Sequence, residues 1–158
     1  MSHLFKTCHL TRFRLIQTLN QLGVITLESL QFRYTILYVN DVSDTLNFYE
    51  AAFGLKTSML HEGGDYGELD TGATKLSFSS LKLMTELGKN PAKANSSAPC
   101  FEIAFETDDV ASALAKALSA GASLVQGAED MPWGQTIAYV TDNNGFLVEL
   151  CTAVTPQP

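Results

Sequence analysis

Two glutamates, Glu102 and Glu149, and the residues holding the matching places in an imperfect repeat, Tyr34 and Ser77, are the side chains best placed to do chemistry. The first copy opens Arg33-Tyr-Thr-Ile-Leu-Tyr-Val-Asn-Asp-Val42 and the second Phe101-Glu-Ile-Ala-Phe-Glu-Thr-Asp-Asp-Val110. Each later closes on a short alternating run, Lys75-Leu-Ser-Phe78 and Leu147-Val-Glu-Leu150. A duplicated module usually builds one site between its halves, so Tyr34 is compared with Glu102 and Ser77 with Glu149. Carboxylates are hard donors, suited to a metal ion or a cationic ligand. Other chemistries lack their parts. His61 is the only histidine after the first 31 residues and stands at no ligand position. Cys8, Cys100 and Cys151 match no metal spacing, and neither Cys100 nor Cys151 has a histidine nearby in sequence to activate it. No Ser-His-Asp arrangement, phosphate-binding glycine loop or nucleotide fingerprint occurs.

The elements that must position these residues follow from periodicity. Residues 33–40 alternate as a strand, with Thr35, Leu37 and Val39 on one face and Tyr34, Ile36 and Tyr38 on the other. Asp41 can cap a helix whose apolar positions, Val42, Leu46, Tyr49 and Phe53, recur every three or four residues until Gly54 stops it. Strands are expected near 55–61, 65–70 and 74–79, then a short helical turn and linker over 81–98. The second half repeats the plan. A strand at 100–106 leads to Asp108 or Asp109 as cap, then a helix carrying Val110, Leu114, Ala117 and Leu118, closed by Gly121. Strands near 122–126, 135–141 and 146–152 complete it, the last after the Asn143-Asn144-Gly145 turn. The order is βαβββ–βαβββ, an α+β fold of two modules forming curved mixed sheets around a concave cleft. The apolar faces, Phe101, Ile103 and Phe105 with Phe146, Val148 and Leu150, are expected beneath the helices. The opposite faces, with Tyr34, Ser77, Glu102 and Glu149, are expected to line the cleft.

The 158 residues suit one well-buried domain, and no apolar run approaches the roughly 20 residues that span a bilayer. Three scattered cysteines fit a reducing cytoplasm better than a disulfide framework. Residues 1–31 carry a net +2 and the remainder −9. A body this acidic repels a phosphate backbone, which argues against a nucleic-acid partner, and suits either cationic ligands or simple solubility. In the basic N-terminus Phe13, Ile16, Leu19 and Leu22 recur at helical spacing before Gly23. Residues 1–31 thus read as a helical, dispensable extension, a transit-like segment or translation from an upstream start, and 32–158 as the domain.

The opening Tyr34-Thr-Ile-Leu-Tyr-Val-Asn-Asp-Val, the Phe48-Tyr49 with Phe53-Gly54-Leu55, and the closing Tyr139-Val-Thr-Asp-Asn-Asn-Gly-Phe-Leu-Val-Glu-Leu150 carry a family resemblance over residues 32–153. In order and spacing the chain resembles the vicinal oxygen chelate superfamily, which includes glyoxalase I, bleomycin-resistance proteins and extradiol dioxygenases. The resemblance implies one divalent ion held by four side chains, here Tyr34, Ser77, Glu102 and Glu149. Tyr34 stands where the family usually has histidine, and Ser77 where it often has histidine or glutamate. A phenol and an alcohol are poor ligands for Zn²⁺, Ni²⁺ or Fe²⁺. The chain therefore resembles the ligand-binding branch, with no metal cofactor and a small cationic or aromatic molecule in the cleft. Two carboxylates on neighbouring strands repel and favour a cation between them. Trp133, on a loop that borders the cleft in related sequences, joins Tyr34 and Tyr38 as an aromatic face. The resemblance also implies a homodimer. The alternative is a divergent metal-dependent lyase, isomerase or dioxygenase with one divalent ion on Glu102 and Glu149. Plainer readings compete: Glu149 paired with Lys75, Trp133 plugging the core, and Tyr34 as a core tyrosine.

Overall fold

The computed structural model describes residues 30–154, so the helix expected around residues 13–22 lies outside the described part. Eight strands and three helices follow in the order expected: β1 (Tyr34–Val39), α1 (Val42–Phe53), β2 (Thr57–Leu60), β3 (Tyr66–Leu69), β4 (Lys75–Ser80), α2 (Leu81–Glu86), β5 (Glu102–Glu106), α3 (Val110–Ser119), β6 (Ser123–Asp130), β7 (Thr136–Thr141) and β8 (Leu147–Cys151). They form two four-stranded sheets ordered β1-β4-β3-β2 and β5-β8-β7-β6. In each, the first strand runs parallel to the last and the remaining pairs are antiparallel. The sheets do not close into a barrel.

Local signals set the helix ends. The Asp41 carboxylate accepts from the Asp44 N–H at 2.8 Å, satisfying one of the amides a helix start leaves unpaired. Gly54 takes the left-handed conformation (φ 76°) and returns its N–H to Glu50 O at 3.0 Å. In α3 the cap is Asp109, whose carboxylate accepts from the Ser112 N–H at 2.9 Å. The Ser80 hydroxyl does the same for α2, accepting from Leu83 N–H at 3.0 Å.

Alternation decides which strand face meets the helices. Leu37 and Val39 of β1, Leu69 of β3, and Leu76 and Phe78 of β4 pack with Val42, Leu46 and Tyr49 of α1 into one buried cluster. Gly67 on β3 lets α1 come close, because a Cβ there would lie 2.8 Å from Leu46 Cδ1. Val110 of α3 packs with Ala138 and Leu150 of the second sheet. Aromatic rings link the halves: Tyr49 meets Phe78 at 4.9 Å, and Phe53 meets Phe105 at 5.1 Å between centroids.

The expectation that Phe101 would sit under a helix needs correction, since it is 43% exposed. It precedes β5 at the sheet margin and tilts against Phe146 at 5.8 Å instead. Ile103, Phe105 and Phe146 are only half-buried, whereas Val148 and Leu150 are fully buried. The reason is position: β8 lies inside its sheet, while β5 is an edge and Phe146 stands in the turn before β8. Strand β6 runs four residues beyond its expected end, to Asp130. No apolar alternation marks that extension; pairing with β7 holds it, with register shifts between Leu124 and Gln126 and between Gln126 and Glu129.

A polar network joins the modules. The β7–β8 turn reaches back to the start of α1: Asn144 Oδ1 accepts from Asn40 N–H at 3.2 Å and Asn144 Nδ2 donates to Thr45 Oγ1 at 2.9 Å. The Tyr49 hydroxyl donates to Asp142 Oδ2 at 3.0 Å, both groups buried. Asp142 Oδ1 also accepts from the amides of Asn144 (2.9 Å) and Phe146 (2.8 Å). Burial raises the Asp142 carboxyl above its ordinary value against these hydrogen bonds, which pull it down. It raises the Tyr49 phenol too, reinforced by the Asp142 charge. No helix among the described residues is long and apolar enough to cross a membrane.

Candidate functional site

The candidate site is the face of each sheet turned away from the helices. On the first sheet the residues alternating with the core are Tyr34, Ile36 and Tyr38 of β1, Lys75, Ser77 and Ser79 of β4, and Tyr66 and Glu68 of β3. Register sets them in rows: Ile36 beside Ser77 beside Glu68, and Tyr38 beside Ser79 beside Tyr66. On the second sheet Glu102 stands beside Leu147, Ala104 beside Glu149, and Glu149 beside Tyr139. Tyr139 of β7 thus lies across from Glu149 as Glu68 lies across from Ser77, the same place in each module.

The structure brings Glu102 and Glu149 to one face of adjacent strands, offset by two residues. That diagonal sets them farther apart than the strand spacing of about 4.8 Å alone. Tyr139 feels both: burial first, then the Glu149 and Glu102 charges, raise its phenol above the ordinary value. Cys151, on the same face, is raised by burial and then by Glu149, Glu106 and Glu102. Its sulfur is a neutral thiol at pH 7, not a nucleophilic thiolate. Tyr66 is raised chiefly by burial, and its hydroxyl donates to Glu68 Oε1 at 3.1 Å. Tyr66, Glu68, Ser79 and Tyr139 were not singled out in the sequence. Alternation from Gly67 and from Val140 would have found their faces, but not their neighbours across the strands.

Tyr34 is 49% exposed, so it is not a core tyrosine. Ser77 is fully buried, and its hydroxyl, like that of Ser79, has no formed hydrogen bond, although it stands close enough to the Tyr66 hydroxyl to ease that group's ionisation. The plain pairing of Glu149 with Lys75 does not form; Lys75 Nζ meets Asp70 Oδ1 at 3.3 Å. Trp133 is 51% exposed rather than a core plug. Its indole N–H donates to Gln135 Oε1 at 2.9 Å, and Gln135 Nε2 donates to Thr152 O at 2.7 Å. That tether sets Trp133 at the C-terminal end of β8, the opposite end from Leu147. His61 is exposed and paired with Asp65 at 2.8 Å.

Between the edges of β1 and β5 lie two neighbouring cavities. The first, about 410 Å³, is walled by Ile36, Tyr38, Phe101, Phe146 and Leu147 and by the linker residues 92–95 and 98–100. The second, about 420 Å³, includes Thr35, Lys75, Leu76 and residues 101–105, among them Glu102. Phe101 lines both. Tyr38 belongs to the first, and neither includes Trp133, Ser77 or Glu149.

The donor set does not fit a divalent ion held by four side chains. One of the four positions is a buried alcohol, another a phenol, and the two carboxylates stand diagonal to each other. Among the described residues, no three His, Cys, Asp or Glu side chains converge to hold a metal.

Comparison with known proteins agrees with this architecture. Residues 31–150 match the family model described as Glyoxalase/Bleomycin resistance protein/Dioxygenase superfamily. The crystal structure of a glyoxalase-related enzyme from Fulvimarina pelagi superposes with a TM-score of 0.68 at 20% identity, over 79% of this chain and 89% of that one. A glyoxalase/bleomycin resistance protein/dioxygenase family enzyme from Burkholderia phytofirmans gives 0.67 at 18% identity, over 80% and 100%. An integron cassette protein from V. cholerae gives 0.54 at 25% identity, over 81% and 98%. No curated protein matches the sequence.

Proposed function

The chain belongs to the Glyoxalase/Bleomycin resistance protein/Dioxygenase superfamily, and from that premise we propose that it binds a small cationic or aromatic molecule on its helix-free faces without a resident metal. One observation carries this reading: the face is rich in carboxylates and phenols and poor in cations. Glu68, Glu102, Glu106 and Glu149 share it with Tyr34, Tyr66 and Tyr139. Lys75, the only basic residue within the eight strands, is already paired with Asp70. Carboxylates gathered on one face attract a positive group, and phenol rings add their electron-rich faces. Apolar contact supplies most of the affinity, while the carboxylates set orientation and charge preference.

Ligand binding stabilises the native state in proportion to its occupancy, so a thermal-shift screen tests the reading. Cationic dyes and drugs are expected to raise the melting temperature more than neutral or anionic compounds of similar size. Equal shifts for all three classes would sink the charge preference. Elemental analysis of protein purified without chelator or affinity tag belongs beside the screen. Stoichiometric Zn, Ni, Fe or Mn would favour a metal-dependent lyase, isomerase or dioxygenase instead.

Assembly as a homodimer is part of the proposal. Two unclosed sheets with free edges at β1, β2, β5 and β6 leave surface that a second copy can cover. Sedimentation at micromolar concentration is expected to give twice the monomer mass of 17.2 kDa. A monomer under those conditions counts against it.

A further inference from the structure

Large apolar side chains that the core does not fully cover, Ile36, Phe101, Phe146 and Leu147, converge beneath the linker between the modules. They surround the first cavity, whose volume of about 410 Å³ falls within the range of about 300–1,000 Å³ usual for small-molecule pockets. Two of its rings, Phe101 and Phe146, tilt against each other at 5.8 Å between centroids. The linker wall is held in shape by its own hydrogen bonds. Asn95 Oδ1 accepts from the Ser97 N–H at 3.0 Å, and Asn95 O from the Ala98 N–H at 3.0 Å. The wall rests on the β7–β8 turn, where a Cβ built on Gly145 would lie 3.7 Å from Ala94 O. The cavity is thus formed before any ligand arrives, which lowers the ordering cost of binding.

Charge narrows what this cavity can hold. No carboxylate lines it, and its single charged residue, Lys93, stands exposed on the linker. A cation entering it would meet only that lysine's like charge. An anion would pair with an ammonium that stays in water, where an ion pair is worth little. Uncharged apolar surface meets neither cost and displaces water that apolar walls hold poorly. We infer that the cavity is a second binding site, which takes a neutral, flat aromatic molecule against the Phe101–Phe146 pair. It stands apart from the carboxylate-rich faces: Glu68, Glu106 and Glu149 line neither cavity, and Glu102 lines only the other one. The site therefore goes beyond the proposed cation preference and does not depend on it.

Cys100, exposed and lining the cavity, reports its occupancy. For the full-length protein N-phenylnaphthylamine is the neutral probe, anilinonaphthalene sulfonate its anionic counterpart on the same skeleton, and ethidium the cation. Alkylation by N-ethylmaleimide is followed at the peptide that begins after Lys93, which contains Cys100 and no other cysteine. The neutral probe is expected to slow that alkylation several-fold. The two ions, at equal concentration, should slow it by less than about twofold. Ile36→Glu puts a carboxylate on the apolar wall at a half-exposed strand position, and should weaken the neutral probe by more than about tenfold. Lys93→Ala should leave its affinity, read from probe fluorescence, within about twofold. Because Cys100 protection is read on the unmodified chain, a folding defect in either variant does not decide the outcome. Cys100 that alkylates at its free rate in saturating neutral probe overturns the site. Equal or greater protection by the sulfonate or by ethidium overturns its preference for an uncharged ligand. The charge preference of the open faces is read separately, by thermal shift, so each proposal can fail without the other.

Discussion

Truncating Phe78 to alanine is expected to remove about 3–5 kcal/mol of stability, the usual cost of deleting a fully buried aromatic ring. Phe78 is 0% exposed and lies in the middle of β4, where its ring meets Tyr49 at 4.9 Å between centroids. Tyr49 in turn touches Phe48, Phe53 and Phe105, so the cavity opens in a cluster joining both modules. Small domains hold only about 5–15 kcal/mol in reserve, so the variant should sit close to unfolding at 37 °C. Urea titration monitored by far-ultraviolet circular dichroism measures it. A loss below about 1 kcal/mol would mean that this ring is not at the centre of the core. The same variant tests whether the modules fold as one unit: a single cooperative transition is expected, because the ring cluster is shared.

The second large effect concerns Tyr49→Phe, which keeps the ring and removes only the hydroxyl. That hydroxyl donates to the buried Asp142 carboxylate at 3.0 Å, so its loss leaves a charged acceptor short of a partner. The cost at pH 7 is about 1.5–3 kcal/mol, or roughly 5–10 °C in Tm. Its pH dependence carries the diagnosis. The folded Asp142 carboxyl is raised above its ordinary value, chiefly by burial. Between the ordinary carboxylate value, about 4, and the raised one, the native state binds more protons than the unfolded chain. This group's contribution to stability is therefore complete at acid pH and is lost as pH rises through the folded value. Removing the Tyr49 donor raises that value further, so the variant should fall behind the natural protein most at neutral pH and least near pH 4. Asp142→Asn, which does not titrate there, should abolish the difference in slope. Urea midpoints for the three proteins across pH 4–8 measure this, and a Tyr49→Phe cost independent of pH would show that the hydroxyl acts through packing alone.

Much of the architecture was legible because it depends on short-range rules. Alternation at 33–40 and 100–106, helical spacing from Val42 to Phe53, and the caps at Asp41 and Gly54 are properties of neighbours in the chain, and each element lies where those rules put it. The repeat made the order βαβββ–βαβββ readable, and with it the family. It also identified Tyr34, Ser77, Glu102 and Glu149 as matched positions on the helix-free faces. Their types, two carboxylates with a phenol and an alcohol, already argued against four-ligand metal chemistry.

What the residues do at those positions depended on contacts between strands far apart in sequence. Ser77 looks like any other strand serine, and only the assembled sheet buries its hydroxyl while leaving Tyr34 half-exposed. Trp133 follows a Pro in a turn, and its place at the far end of β8 comes from a glutamine tether to Thr152, 17 residues from Gln135. Tyr139 joins the candidate site only because β7 pairs with β8 opposite Glu149. The repeat even obscured the Tyr49–Asp142 link, which joins residues 93 apart and holds the second module's last turn against the first module's helix. Periodicity reports which face a side chain takes, since that follows from backbone geometry alone. Burial, partners and cavities are properties of the packed interior, where each residue's surroundings are set by strands that the chain brings together only on folding.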